Sequence, residues 1–158
     1  MAIRTGRRDR DGAILAWSFV IMKMSNGIEQ LVGACVDDKR TLEREIAEVG
    51  ARNRPMLSKL AAERGRFESE LRALGGGAAR HGGSPMELFR ELRRRVERAA
   101  TGPSNSDAVA ACRRSLRRTE ARYDEALQLS WPDDVRAVLL SQRSQLHDDR
   151  AELISIQY

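Results

Sequence analysis

Residues 55–77 read PMLSKLAAERGRFESELRALGGG, and this stretch decides the fold. Its apolar residues recur at three- and four-residue steps, which is the spacing of one face of an α-helix. Pro55 suits the first turn of a helix, and the glycine run that begins at Gly75 ends it. Arg64 interrupts the apolar stripe halfway along. The stretch therefore predicts an amphipathic helix with a charged residue in the middle of its buried face.

Three further long segments carry apolar residues at helical spacing, and a fifth, shorter segment lies between them. Breaks rich in Gly, Pro, Ser and Asn separate the segments, and Ser84-Pro85-Met86-Glu87 is a strong start signal for the short one. Short connections between long amphipathic helices predict antiparallel neighbours. We therefore expect an all-α fold, an antiparallel four-helix bundle with an additional short helix. The long segments run through residues 28–49, 109–127 and 135–156, and the short one through residues 89–96.

The composition fits one helical domain. The chain has 158 residues, of which 4% are aromatic and 32% charged, a mixture that favours Leu/Ala/Val-packed helices over a sandwich of strands. The net charge of +5 permits acidic partners without demonstrating any. Cys35 and Cys112 both fall on apolar stripes, so we expect two buried thiols and a reducing cytoplasmic location.

The N-terminal segment combines basic and apolar residues. Four arginines among the first ten residues precede an apolar run at 13–22, an arrangement similar to a weak signal peptide. The run is too short to span a bilayer, and no cleavage site follows it. We expect residues 1–25 to be a disordered or mis-annotated extension, and residues 26–158 to form the bundle domain.

Polar residues interrupt the apolar stripes near the middle of the long helices. A polar layer of this kind holds metal in di-iron bundles, which use Glu-x-x-His pairs. Here Ser144 stands three residues before His147, and Ala78 three before His81, so the pattern predicts no such site. An ion-paired layer and long side chains that reach solvent remain equal alternatives. The residues of the predicted polar centre are Asp38, Lys39, Arg64, Glu120 and Gln142.

Several motifs together resemble an uncharacterised bacterial ferritin-like family, catalogued as domain of unknown function number 2383. They are AERGRFESEL at 62–71, YDEAL at 123–127, WPDDVR at 131–136 and His147-Asp148. The resemblance spans residues 28–157, and the first motif is its most specific part. It implies a ferritin-like bundle.

The chain departs from the family pattern where relatives carry acidic or imidazole groups. The first-helix stretch reads DDKRTL at 37–42, Arg90 and Arg93 stand on the short helix, and Arg113 follows Cys112. The resemblance therefore implies a degenerate member without a working di-iron site and without a cofactor. Potential ligand positions of the family are matched only by Glu63, Glu70 and His147.

Arginine-rich helix faces raise nucleic-acid binding as an alternative. Arg94, Arg114 and Arg118 are the candidate contacts, but glutamates such as Glu97 and Glu120 are interleaved with them, and no aromatic residue is. We expect solvated, ion-paired helix faces instead, and this pattern weighs against nucleic acid as a partner.

The sequence as a whole predicts a non-enzymatic protein with a structural or protein-interaction role, for instance in a stress response. A homodimer is compatible with it, the protein partner is undefined, and no membrane span is expected. The two alternatives are a metal-binding bundle that uses Glu63, Glu70 and His147, and a basic nucleic-acid-binding module.

Overall fold

Four helices form the described part of the chain. The computed structural model describes residues 8–75 and 105–155, with side chains described for 18–75 and 106–155. Within these residues there is no strand, so the predicted all-α class is confirmed for them. The helices are α1 (Arg8–Ile46), α2 (Arg54–Leu74), α3 (Asn105–Ala126) and α4 (Asp133–Ile154).

Proline and glycine set the ends of the helices as the sequence predicts. Pro55 lies in the first turn of α2, and the Gly75 N–H donates to Leu71 O (3.0 Å) where that helix ends. Pro132 precedes α4, whose first turn carries Asp133 and Asp134. Carboxylates at this position interact favourably with the helix dipole.

Each helix packs against two neighbours in a ring. The backbone of α1 approaches α2 and α3, and that of α4 approaches α3 and α2, so α1 is diagonal to α4. Neighbouring helices are antiparallel: Gly75 at the end of α2 lies against Ile28, while Gly65 lies against Lys39, farther along α1. In the described part of the chain the helices therefore form an antiparallel bundle.

The connection between α2 and α3 joins opposite ends of the bundle. Gly75 lies beside Ile28 at one end, whereas Val109 in the second turn of α3 shares a cluster with Leu42 and Leu57 at the other. Helices α2 and α3 therefore run parallel to each other. The four described helices therefore run up, down, down, up in chain order.

The core consists of two apolar clusters with a polar level between them. One cluster lies at the Ile28 and Trp131 end and the other at the Leu42 and Leu57 end. Between the two clusters each helix contributes at least one buried polar residue: Asp38 from α1, Arg64 from α2, Ser115, Thr119 and Glu120 from α3, and Asp149 from α4.

Helix α1 begins earlier than the sequence predicts. Residues 8–25, expected to belong to a disordered or mis-annotated extension, continue the helix, because a run without proline adds one backbone hydrogen bond per residue. The side chains from Phe19 to Met22 are 40–63% exposed, and packing against the core begins at Met24. The division of the chain at residue 26 stays a prediction.

The predicted short helix lies outside the described residues. The same holds for Arg90, Arg93, Arg94 and His81, which belong to residues 76–104. What the sequence predicts for this segment stays a prediction.

Two glycines of α1 offer a matched test of the packing. A Cβ added to Gly27 would lie 3.1 Å from the Trp131 ring, whereas one added to Gly33 would meet nothing within 4 Å. Gly33→Ala should raise the free energy of unfolding by about 0.5–1 kcal/mol, the usual gain of Ala over Gly in a helix. Gly27→Ala should raise the free energy of unfolding by less than this, or lower it, because the Trp131 ring must shift to make room for the added methyl group. Urea denaturation measures both, and equal gains would contradict the close contact.

Candidate functional site

Arg64 lies at the centre of the bundle and connects three helices. Its side chain is fully buried, and its Nε donates to Asp38 Oδ2 on α1 (2.8 Å). Its Nη2 donates to Asp149 Oδ2 on α4. The guanidinium therefore lies between carboxylates from two diagonal helices, in a geometry that uses its planar fork of donors.

Burial and charge act on this group in opposite directions. Burial lowers the pKa of Arg64, but Asp38 and Asp149 outweigh it and hold the pKa above its ordinary value. Burial also raises the pKa of the Asp38 carboxyl, against the attraction of the guanidinium. Arg64 therefore stays a cation at the centre of the bundle.

Asp149 connects this centre to the edge between α2 and α4. Its Oδ1 accepts from Gln145 Nε2 (3.0 Å), and Glu63 lies beside it. Burial, and then the charge of Asp149, raise the pKa of the Glu63 carboxyl above its ordinary value. Like charges at close range favour keeping a proton on one member of such a pair.

A second polar level crosses all four helices next to the first. Tyr123 Oη donates to Gln142 Oε1 (2.6 Å), and Gln142 Nε2 donates to Glu70 Oε2 (2.6 Å). Since the tyrosine proton is used, the Cys35 thiol is the donor in its 3.4 Å contact with Tyr123 Oη. This chain of hydrogen bonds satisfies the buried polar groups and fixes the register of the helices.

Glu120 forms a third cluster, at the α3–α4 edge. Its carboxylate accepts from Arg150 Nη1 (2.6 Å), and it contacts His147 Nδ1 (3.2 Å) and Arg143 Nη2 (3.6 Å). Burial raises the pKa of Glu120, but the hydrogen bonds from Arg150 and His147 outweigh it and hold the pKa below its ordinary value. Glu120 is therefore an anion neutralised by α4.

The structure places the predicted polar centre at two different levels and one edge. Asp38 and Arg64 pair directly, Gln142 belongs to the second polar level, and Glu120 lies at the α3–α4 edge; all four are buried. Lys39 is half-buried, with its side chain along Gly65. Glu120 does not pair with Arg64 or Lys39, because Arg143, His147 and Arg150 lie closer to it.

The three candidate metal ligands do not converge. Glu63 and Glu70 are seven residues apart on α2, about 10 Å along the axis, and Glu70 accepts from Gln142. The side chain of His147 is 58% exposed and contacts Glu120 at the α3–α4 edge, away from Glu63 and Glu70 on α2. In the described segments, no three His, Cys, Asp or Glu side chains are grouped so as to hold a metal ion.

Two of the three nucleic-acid candidates lie within the described residues. Arg114 and Arg118 are exposed on α3, while Arg94 lies outside the described residues.

Both thiols are buried, and burial raises the pKa of Cys35 to about 11 and that of Cys112 to about 12. Neither thiol is therefore an activated nucleophile.

Sequence reasoning missed Asp149, the second partner of Arg64. The signal was present, because Asp149 falls on the same stripe of α4 as Gln142, Leu146 and Leu153, at steps of four and three residues. Asp149 was not predicted because its two neighbours, His147 and Asp148, were assigned to a motif of the resemblance and His147 to a possible metal site.

None of the helices in the described part combines the length and apolar character that crossing a bilayer requires. No family model, curated protein or solved structure matches the chain.

The central group of Arg64, Asp38 and Asp149 can fix the register of the helices. Its chemistry is that of a buried cation held by carboxylates.

Removing the central guanidinium tests this description. Arg64→Met should lower the free energy of unfolding by about 3–5 kcal/mol, because it leaves buried carboxylates unpaired. The triple substitution Asp38→Leu, Arg64→Met, Asp149→Leu should recover most of the loss, since it also removes the stranded charges.

The matched control is Arg66→Met, an exposed arginine on the same helix, which should change the stability by no more than about 0.5 kcal/mol. Urea denaturation measures all three variants. A loss for Arg64→Met as small as that of the control would show that Arg64 is not held in the core.

Proposed function

We propose that this protein is a non-catalytic, ferritin-like helical bundle in which a permanent cation, Arg64, occupies the centre where a metal site would otherwise form. The observation that carries the proposal is the buried guanidinium held between Asp38 on α1 and Asp149 on α4. The protein then acts through its shape and surface, as a structural or protein-interaction component.

The topology supports the ferritin-like assignment. Helices α2 and α3 run parallel and are joined across the length of the bundle, and one long crossover of this kind is typical of ferritin-like folds among four-helix bundles. The motif at 62–71, which carries Arg64, is also the most specific part of the resemblance to the uncharacterised ferritin-like family.

Electrostatics supports the absence of a working di-iron site. A guanidinium fixed between two carboxylates occupies the position of a cation and repels a divalent ion at close range. The two carboxylates that could bind metal, Asp38 and Asp149, already accept hydrogen bonds from Arg64. Glu70 and Glu120 are likewise engaged, by Gln142 and by Arg150.

The proposal extends to the setting and assembly of the protein. Two buried thiols of raised pKa fit a reducing, cytoplasmic environment in a bacterium. The exposed apolar side chains from Phe19 to Met22 offer a contact for a second copy in a homodimer. An interaction role is favoured over catalysis because Arg64 pairs with Asp38 and Asp149, so the charged groups of the centre bind one another.

Metal content tests the proposal directly. The chain, purified from medium supplemented with iron or manganese, should contain less than about 0.1 metal ion per chain by mass spectrometry, because the central carboxylates are occupied by a guanidinium. His147→Ala should leave this value unchanged.

Arg64→Leu combined with Asp38→Glu is the informative comparison, since it removes the cation and leaves carboxylates facing the centre. Any metal gained by that variant would support the guanidinium as the excluding group. Stoichiometric metal in the unmodified chain that is lost in His147→Ala would instead establish the metal-binding alternative.

A further inference from the structure

We propose that an arginine face on α3 and α4 binds the phosphate backbone of duplex nucleic acid without reading its sequence. We define the arginine face as Arg114, Arg117 and Arg118 of α3 together with Arg143 and Arg150 of α4. This inference goes beyond the proposed function, because it concerns the outer surface and does not depend on the centre of the bundle.

The α3 part of the face is exposed and unusually one-sided. Residues 108–119 contain four arginines and no acidic residue. Arg114, Arg117 and Arg118 are three and four residues apart, so they share one side of the helix, and all three are exposed. Within the described ranges, none of these three forms a hydrogen bond or an ion pair.

Arg113 differs from these three. Its guanidinium donates to Leu153 O (2.9 Å) and Ile154 O (3.2 Å) at the end of α4. These bonds satisfy carbonyl groups that a helix end leaves free. Arg113 is therefore a structural contact, and the arginine face excludes it.

The nearest acidic residue of α3 does not neutralise these arginines. Glu120 is only 5% exposed and is bound by Arg150 and Arg143 of α4, with His147 beside it. In the sequence, Glu120 is interleaved with the arginines of its own helix, a pattern that weighs against nucleic acid as a partner. The contacts across the α3–α4 edge remove that reason for the described residues.

The α4 part of the face adds a second row of guanidinium groups. Arg143 and Arg150 are seven residues apart, so they share a side of α4, and they are 34% and 33% exposed. Asp124 pairs with Arg143 (2.9 Å). The arginine face therefore presents five guanidinium groups, of which only those of Arg143 and Arg150 contact the carboxylates of Glu120 and Asp124.

The dimensions of the face fit a double helix. Packed helices lie about 8–10 Å apart, and arginine side chains that reach outward from two such helices can span the roughly 12 Å width of the major groove of DNA. Guanidinium groups bind phosphate through two parallel hydrogen bonds. The two rows can contact phosphates on opposite sides of one groove.

The chemistry of the face favours nucleic acid over an acidic protein. The exposed α3 residues within one turn of these arginines include Ala121 but no large apolar side chain. On α4, Leu140 and Ile154 are exposed singly near Arg143 and Arg150, whereas protein interfaces depend on clustered apolar and aromatic anchors. Phosphate binding requires charge alone. Tyr123, the only Phe, Tyr or Trp residue of α3 and α4, is buried, so the arginine face offers no such ring to stack on bases, and the binding should not depend on base sequence.

The test is fluorescence anisotropy with the full chain and two unrelated labelled duplexes of equal length. Both duplexes should bind equally, with affinity that falls steeply between about 50 and 200 mM salt. Arg114→Gln, Arg117→Gln and Arg118→Gln together should weaken binding at least roughly tenfold and reduce the salt slope by about 2–3. Each substitution alone should reduce the slope by about one.

The control removes the same charge elsewhere. Lys23→Gln, Arg40→Gln and Arg52→Gln change three exposed cations outside the arginine face, and this variant should bind within about twofold of the unmodified chain, since distant exposed charges are largely screened by salt. Circular dichroism confirms that both triple variants remain helical. A polyglutamate peptide and vesicles of anionic lipid serve as competitors.

Three results would overturn the proposal. The first is that the unmodified chain does not bind either duplex at the lowest salt concentration. The second is that the control variant loses as much duplex affinity as the α3 variant. The third is that the chain binds polyglutamate or vesicles through the α3 arginines but does not bind the duplex. The last result would assign the arginine face to an acidic protein or a membrane surface. Retention of duplex binding by the control variant and loss by the α3 variant would support it.

Discussion

The interaction on which the structure depends is the double contact of the Arg64 guanidinium with Asp38 and Asp149. It connects α2 to α1 and α4, the two helices that are diagonal to each other. Since a buried charge must be matched in position as well as in sign, this contact selects one axial register for three of the four helices.

The contact contributes specificity more than net stability. The cost of removing charges from water offsets most of their attraction, and Asp38 Oδ1, Glu63 Oε2 and Arg64 Nη1 are buried without a hydrogen-bond partner among the described residues. Stability comes from the two apolar clusters, where each buried leucine is worth about 2 kcal/mol. The adjoining chain from Cys35 through Tyr123 and Gln142 to Glu70 repeats the same device at the next level, with neutral groups at its middle.

Sequence patterning predicted the helical class and the ends of α2 and α4, because proline, glycine and apolar spacing act locally. It also placed Arg64 and Asp38 on buried faces. It could not pair Arg64 with Asp149 or Glu120 with Arg150, because those contacts depend on which helices are neighbours. For the same reason, the sequence alone predicts that Glu120 neutralises the arginines of α3. In the structure Glu120 contacts α4 instead, and the α3 arginines remain exposed. The extension of α1 to Arg8 was missed because its apolar residues lack the one-sided pattern of a packed helix.

The most direct measurement of the central claim is nitrogen-15 NMR of the arginine side chains. A guanidinium buried between two carboxylates should give one Nε–H signal that exchanges with solvent far more slowly than those of the exposed arginines, because opening the bundle is required for exchange. That signal should disappear in Arg64→Lys. The absence of any protected Nε–H signal, or its persistence in Arg64→Lys, would contradict the account.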